Sequence, residues 1–325
     1  MSSTTTEATT SSSAGNSSTS ERKYLYLAGV HVAHSIALSM HNHIAKSLSL
    51  PWTFINQECP TINDVITVFR APTFAGGVVT MPYKKTIIPF LDELDPLVSK
   101  LGACNNVYLT PEGKLRGTNT DWRGIKGCLL SGTRSGENEG RGKPALIIGA
   151  GGASRAAVYA LFAELECGEI YVVNRDRGEV EELLKDAKAY ATCETDRQPR
   201  IRHVISAQVA EALPAPFFVV GTVPDFEAKT EEELNARAIL ETFLRKEEKG
   251  VLLDMCFKPR NTRILKMGRE NGWNVVEGTG VIGYQIEEQW KLWAGAGEGG
   301  RKAVPKQEAW DVLKKAAEES TAINF

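Results

Sequence analysis

The chain has 325 residues, a formal net charge of −2, 42% hydrophobic and 24% charged residues, a balance that suits a folded protein and excludes a disordered one. No apolar run reaches the roughly 18 residues of a membrane-crossing helix, and a charge near zero argues against a nucleic-acid binder held by phosphate neutralisation. At about 150 residues per domain two domains are expected, and the cysteines (Cys59, Cys104, Cys128, Cys167, Cys193 and Cys256) form no C-x-x-C pair, which points to a reduced, cytoplasmic protein.

Residues 1–20 are almost entirely Ser, Thr, Gly, Ala and Asn. Such a segment cannot bury enough surface to offset its ordering entropy, so a disordered tail is expected. It lacks both the apolar core of a secretory signal and the arginines of an organelle presequence. The pattern then predicts a strand over 23–29, a helix over 37–50 stopped by Pro51, a strand over 52–58, and a helix over 61–71. Thr61 with Asp64 forms a weak capping box for that helix. A strand over 75–81 leads into a helix over 85–94. Asn105–Thr110 and Lys114–Asn119 flank Pro111-Glu112-Gly113, a hairpin signal. The polar, Gly-rich stretch 131–143 reads as a linker or surface loop. Strands are then expected over 145–149, 169–174, 202–206, 217–222, 251–257 and 274–278, with helices between most of them. Two helical segments, 284–295 and 307–320, close the chain. Strands alternating with helices imply an α/β protein with a mostly parallel sheet.

The sharpest local signal is the run ALIIGAGGASRAAVYAL (145–161). An apolar strand enters Gly149-Ala150-Gly151-Gly152-Ala153-Ser154, and a helix follows. Gly149 permits the tight turn, Gly151 lets a pyrophosphate approach the backbone, and a small residue at Ser154 lets helix and strand pack closely. A second strand about 20 residues on ends at Asn174 and places Arg175, Asp176 and Arg177 at the ribose position. Two guanidiniums suit a 2′-phosphate and favour NADP, whereas Asp176 suits the ribose diol of NAD. In the first half, Lys84 and Asp121 stand on turn-like segments. A lysine can serve as general acid and base when a carboxylate orients it, although surface solvation is the ordinary fate of a lysine.

GGVVTMPYKK (76–85), GACNNVY (102–108), GTNTDWRG (117–124), the GAGGASR turn with VNR, and GTGVIGYQ (278–285) stand in this order. The set resembles the shikimate/quinate dehydrogenase family over roughly residues 24–296. The resemblance implies a Rossmann dinucleotide-binding domain over 126–283. It also implies an α/β substrate domain over 21–125, with the helices of 284–325 packing back on it. It implies an NAD(P)-dependent alcohol–ketone interconversion on a cyclohexane or cyclohexene carboxylate, with a small-molecule substrate as partner and a monomer or homodimer as the assembly. Lys84 matches the family's proton-transfer lysine and Asp121 its paired aspartate. Ser35, Ala37, Thr80, Asn105, Phe257 and Gln285 match substrate-binding positions. Gly149, Ala150, Gly151, Gly152, Ala153, Asn174, Arg175, Asp176, Arg177, Thr222 and Gly278 match cofactor positions. No metal is implied.

The chain departs from the family at several of these positions. His34-Ser35-Ile36-Ala37-Leu38 stands where H-S-x-S-P is usual, so the second carboxylate-binding serine is Ala37. A hydrogen bond to a charged group contributes about 1.5–3 kcal/mol, so its loss weakens shikimate roughly ten- to a hundred-fold. In the family this replacement resembles members that prefer quinate. Asn106 stands for Thr, Phe257 for Tyr and Gly221 for Asn. Two lost hydroxyls argue against strict shikimate specificity. Two alternatives stand beside this reading: a different polyhydroxy-ring acid as substrate, and a non-catalytic sensor of the quinate pathway. His31, His34, His41 and His43 fit packing or solvation better than a metal site, because positions two apart face different sides of a helix. Trp290 and Trp293 fit the docking of the last helices on the first domain.

Overall fold

The protein is described here by a computed structural model covering residues 22–134, 136, 138–190 and 198–325. The expected tail over 1–20 and Cys193 lie outside the described residues. Lys23–Gly29 (β1) is buried over most of its length and pairs in parallel with Trp52–Glu58 (β2) on one side and Phe74–Val79 (β3) on the other. Glu93–Leu94 (β4), Asn106–Leu109 (β5) and Leu115–Thr118 (β6) complete a sheet ordered β2-β1-β3-β5-β6-β4. The β3–β5 and β5–β6 pairings are antiparallel, so this sheet is mixed. Gly113, with φ of 77°, turns the β5–β6 hairpin where the sequence places it.

The second sheet contains Ala145–Ile148 (β7), Glu169–Val173 (β8), Arg200–His203 (β9), Phe218–Gly221 (β10), Val251–Asp254 (β11) and Asn274–Glu277 (β12). Its order is β12-β11-β10-β7-β8-β9 and every pairing is parallel. β7, β10 and β11 are fully buried, and all are apolar except for Asp254 at the end of β11, as expected of central strands in a parallel sheet. The winding reverses between β7 and β10. That opens a crevice at the carboxyl ends of these strands, the usual ligand position in such sheets.

Two expectations fail between residues 85 and 101. The helix expected over 85–94 is a short 3-10 turn, Ile88–Phe90, followed by β4. Pro89 has no N–H to continue an α-helix from Lys85, and its ring disfavours helical backbone at Ile88. Arg70 then holds Asp92 through two N–H donors at 2.7 and 2.8 Å, and Asp92 accepts the Leu115 N–H at 2.8 Å. These bonds fix the segment as an extended edge. The unanticipated helix Pro96–Leu101 carries ordinary signals: Asp95 caps the Leu97 N–H at 2.8 Å, and Gly102 stops it at φ 65°. β9 begins two residues earlier than the pattern suggests.

Of the closing helices, Ile286–Ala294 packs on the first sheet at β3 and β5, and Lys306–Glu319 packs against the helix Ala37–Ser47. Trp290, Trp293 and Leu313 share one buried cluster with Leu25, Met40 and Phe54. His41 belongs to that cluster. Its ring lies 4.2 Å from that of Phe54, and its Nδ1 accepts the Trp290 indole N–H at 3.1 Å. Burial pushes its pKa down to about 3, so it packs as a neutral ring. Trp293 lies flat against Gly76, where an added Cβ would come 2.2 Å from Cδ1. Gly76→Ala is therefore expected to destabilise the protein by about 1–3 kcal/mol, read as a lower thermal-unfolding midpoint. An unchanged midpoint would remove this contact from the account.

Candidate active site

Lys84 lies in the loop after β3, and Asp121 opens the helix Asp121–Ser131. Lys84 Nζ donates to Asp121 Oδ2 at 2.5 Å, and the carboxylate is 4% exposed. The positive end of the helix favours an anion at its first residue. The other oxygen, Oδ1, accepts from Asn105 Nδ2 at 2.8 Å. That same nitrogen donates to Gln285 Oε1 at 2.9 Å, and Asn105 Oδ1 accepts the Thr120 N–H at 2.6 Å. The Thr120 hydroxyl donates to Gln285 Oε1 at 2.6 Å. Residues 180 positions apart thus form one buried polar cluster. Every hydrogen bond in it fixes the orientation of another. Thr120 and the neighbouring Gln289, whose Nε2 lies 3.4 Å from both the Thr120 hydroxyl and Gln285 Oε1, complete it. Thr120 stands inside the GTNTD motif. Gln289 follows Gln285 by one helical turn, a spacing that places both on one face.

The glycine turn abuts this cluster. An added Cβ on Gly152 would lie 3.1 Å from Lys84 Cβ. Gly149 has φ of 117°, and a Cβ there would come 2.4 Å from the Thr222 hydroxyl oxygen. That hydroxyl donates to the Ile148 carbonyl at 2.8 Å and meets Ser154 Oγ at 2.7 Å, so Thr222 braces the turn from beneath. Open space lies beyond Gly151, and no side chain caps the helix Gly152–Tyr159. Its first amides therefore face outward, as a bound diphosphate requires. Arg155, 1% exposed, holds the turn from inside. It donates to the carbonyls of Ala150 at 2.8 Å and Gly151 at 3.2 Å, and Asp186 lies 2.5 Å from its charged end. The final letter of GAGGASR is its only trace in the sequence.

The other residues singled out by sequence lie on loops and element ends of both sheets. Thr80 follows β3 directly, its N–H donating to Ala28 at 3.0 Å. Ala37 begins the helix Ala37–Ser47, and its N–H lies 3.4 Å from Ser35 Oγ. Phe257, after β11, brings its ring to 5.7 Å from that of His34, so the second sheet's loop reaches the first lobe. Gly278 packs against the backbone carbonyls of Met255 and Asp254, whose oxygens a Cβ would approach to 2.5 and 2.6 Å. At the end of β8, Asp176 caps the helix Arg177–Ala187 through the N–H groups of Gly178 (2.7 Å) and Glu179 (3.1 Å). Asn174 donates to Glu179, Arg175 to Glu233 and Arg177 to Glu181.

A sequence profile of the shikimate dehydrogenase substrate binding domain matches residues 27–107. The chain is 36% identical over 291 residues to a quinate dehydrogenase from Emericella nidulans, covering 83% of this chain and 87% of that protein. It belongs to the shikimate/quinate dehydrogenase family. Its class of chemistry is therefore dehydrogenation at a CH–OH group. The chain is also 34% identical over 286 residues to the pentafunctional AROM polypeptide of Schizosaccharomyces japonicus, covering 86% of this chain but only 17% of that one. The structure of a Thermus thermophilus shikimate 5-dehydrogenase in complex with NADP(H) and shikimate superposes with a TM-score of 0.69 at 26% identity, over 90% of this chain and 99% of that one.

One group near the site titrates in the neutral range. Asp254, at the end of β11, is 1% exposed, and burial pushes its carboxyl from 3.8 up to about 7 against hydrogen bonds from the Thr262 hydroxyl (2.6 Å) and the Cys256 N–H (3.2 Å). A carboxyl whose folded pKa is raised contributes stability that is complete below its unfolded pKa and is lost as pH rises through the folded one. Between about pH 4 and pH 7 the loss is about 1.4 kcal/mol per pH unit. Asp254→Asn is therefore expected to flatten the fall in melting temperature between these limits, seen in unfolding scans against pH. A slope identical to that of the parent enzyme would assign the effect elsewhere.

Proposed function

We propose that this dehydrogenase transfers hydride reversibly between a nicotinamide dinucleotide and a ring hydroxyl of a quinate- or shikimate-type acid, with Lys84 moving the proton. The observation that carries this reading is the 2.5 Å Lys84–Asp121 pair set against the glycine turn at Gly152. A bound nicotinamide supplies the hydride acceptor or donor. Lys84 Nζ takes the hydroxyl proton as the alcohol is oxidised and returns it in the reverse direction. Asp121 and Asn105 hold the amine in line, and Gln285 and Thr80 contact the ring hydroxyls. Ser35 receives the carboxylate, and Ala37 and Phe257 leave room for the further hydroxyl of quinate.

On the nucleotide side Gly149, Ala150, Gly151, Gly152 and Ala153 cradle the diphosphate. Asn174, Arg175, Asp176 and Arg177 face the ribose of NADP(H) or NAD(H), and Gly278 flanks the nicotinamide. Thr222 supports the cradle. The proposed division is a substrate domain over 21–125 completed by 284–325, and a nucleotide domain over 126–283. Its support is that each sheet lies on its own side of residue 125. Among the described residues no helix is long and apolar enough to cross a membrane, and five cysteines are free. A cytoplasmic monomer or homodimer completes the reading.

Initial rates of NADP and NAD reduction with quinate and with shikimate test the proposal. A rate with either acid is the expected result. Nucleotide binding without turnover of either would redirect the search to another ring acid. Lys84→Met is expected to lower kcat by about a thousandfold with an unchanged circular dichroism spectrum. Substantial residual turnover would take the proton-transfer role from Lys84. Ala37→Ser is expected to shift kcat/KM toward shikimate by about tenfold, and a constant shikimate-to-quinate ratio would contradict the placement of the carboxylate.

A further inference from the structure

The groups that a 2′-phosphate would need are already occupied by carboxylates of the chain itself. Asp176 holds the two backbone N–H groups at the start of its helix. Asn174 is held by the carbonyl of Asp176 at 3.0 Å and by Glu179 at 2.8 Å. Arg177 makes an exposed pair with Glu181 one helical turn away, with its side chain 84% exposed, and such a pair is easily broken. Arg175 differs. Its guanidinium donates to Glu233 Oε1 at 2.5 Å and lies 5.5 Å from the centre of the Phe226 ring.

Glu233 is not free to follow a moving arginine. Its other oxygen accepts the N–H groups of Lys229 at 3.0 Å and Thr230 at 3.2 Å, in the capping box of the helix Glu231–Arg245, and its side chain is only 10% exposed. Arg175 therefore comes to a fixed anion. Glu233 and Glu181 thus each hold one of the two guanidiniums, while Asp176 and Glu179 take up the backbone N–H groups and the Asn174 amide of the same turn.

We infer that Glu233 is a nucleotide-selecting residue: it neutralises Arg175 and so opposes a 2′-phosphate on the adenosine ribose. This rests on the dinucleotide-binding reading above. A 2′-phosphate reaches Arg175 only by sharing it with Glu233 or by breaking a pair whose carboxylate stays in place. A ribose diol brings no charge and meets no such competition. The enzyme accordingly uses NAD(H) at least as well as NADP(H), although two arginines stand at the ribose position. Glu233 lies 58 residues from Arg175 in sequence.

The test uses adenosine fragments, which report the ribose end without turnover. Calorimetric dissociation constants are measured for 2′,5′-ADP and for 5′-ADP on the parent enzyme, on Glu233→Gln and on Arg175→Ala. Gln keeps the oxygen that accepts the capping N–H groups, and equal melting temperatures verify that the helix is intact. Glu233→Gln is expected to tighten 2′,5′-ADP relative to 5′-ADP by about tenfold. The gain is expected to shrink as salt rises from about 0.05 M to about 0.5 M, and to vanish in the Arg175→Ala background. The NADP-to-NAD ratio of kcat/KM should move the same way. Fragments that bind with the same ratio in parent and Glu233→Gln overturn the role of Glu233 and leave the dinucleotide site standing. If neither fragment nor either dinucleotide binds, the site itself fails, and the inference with it.

Discussion

The carboxamide of Asn105 joins the parts of the molecule that chemistry requires together. Its nitrogen serves Asp121 and Gln285, and its oxygen receives the Thr120 N–H, so the segment before β5, the start of a helix and a residue near the chain's end meet at one planar group. A buried amide with every position used cannot rotate without leaving a partner unsatisfied. Asp121 is thereby held with one oxygen turned to Lys84, and the amine inherits that fixed direction. The orientation of Lys84 comes from this cluster and from the backbone of Gly152 on its other side.

The turns after β7 and β8 are built on opposite principles. At the glycine turn the protein withholds side chains, leaves helix amides open and places a buried guanidinium behind them. At the turn after β8 it supplies polar side chains and satisfies them internally. The first arrangement receives charge on backbone donors. The second has spent its donors on its own carboxylates.

What the sequence makes legible follows the range of the interactions. β7, the glycine turn and the helix after it form a local unit whose every element is adjacent in the chain, and they appear where the pattern places them. The Pro111–Gly113 hairpin is legible for the same reason. The segment after Lys84 is less legible, because the apolar spacing of 85–94 resembles a helix while the single Pro89 decides against it. The Lys84–Asp121 pairing spans 37 residues and the Asn105–Gln285 pairing 180, and periodicity carries no trace of either. Motif resemblance named these four residues without their geometry. Asp254 lies in an apolar strand, and its raised pKa comes from the depth at which it sits rather than from its neighbours in sequence.

The docking of Trp290 and Trp293 has a consequence for how the molecule comes into being. One face of the first sheet, including β1 and the wall at Gly76, is covered in part by Trp290 and Trp293, which are made only after every strand of the second sheet. During synthesis that face waits uncovered while the whole second sheet is made. The second sheet is closed by strands drawn from 145–277 alone and can assemble in the meantime. The first lobe is therefore completed after the second, when the helix Ile286–Ala294 docks on it.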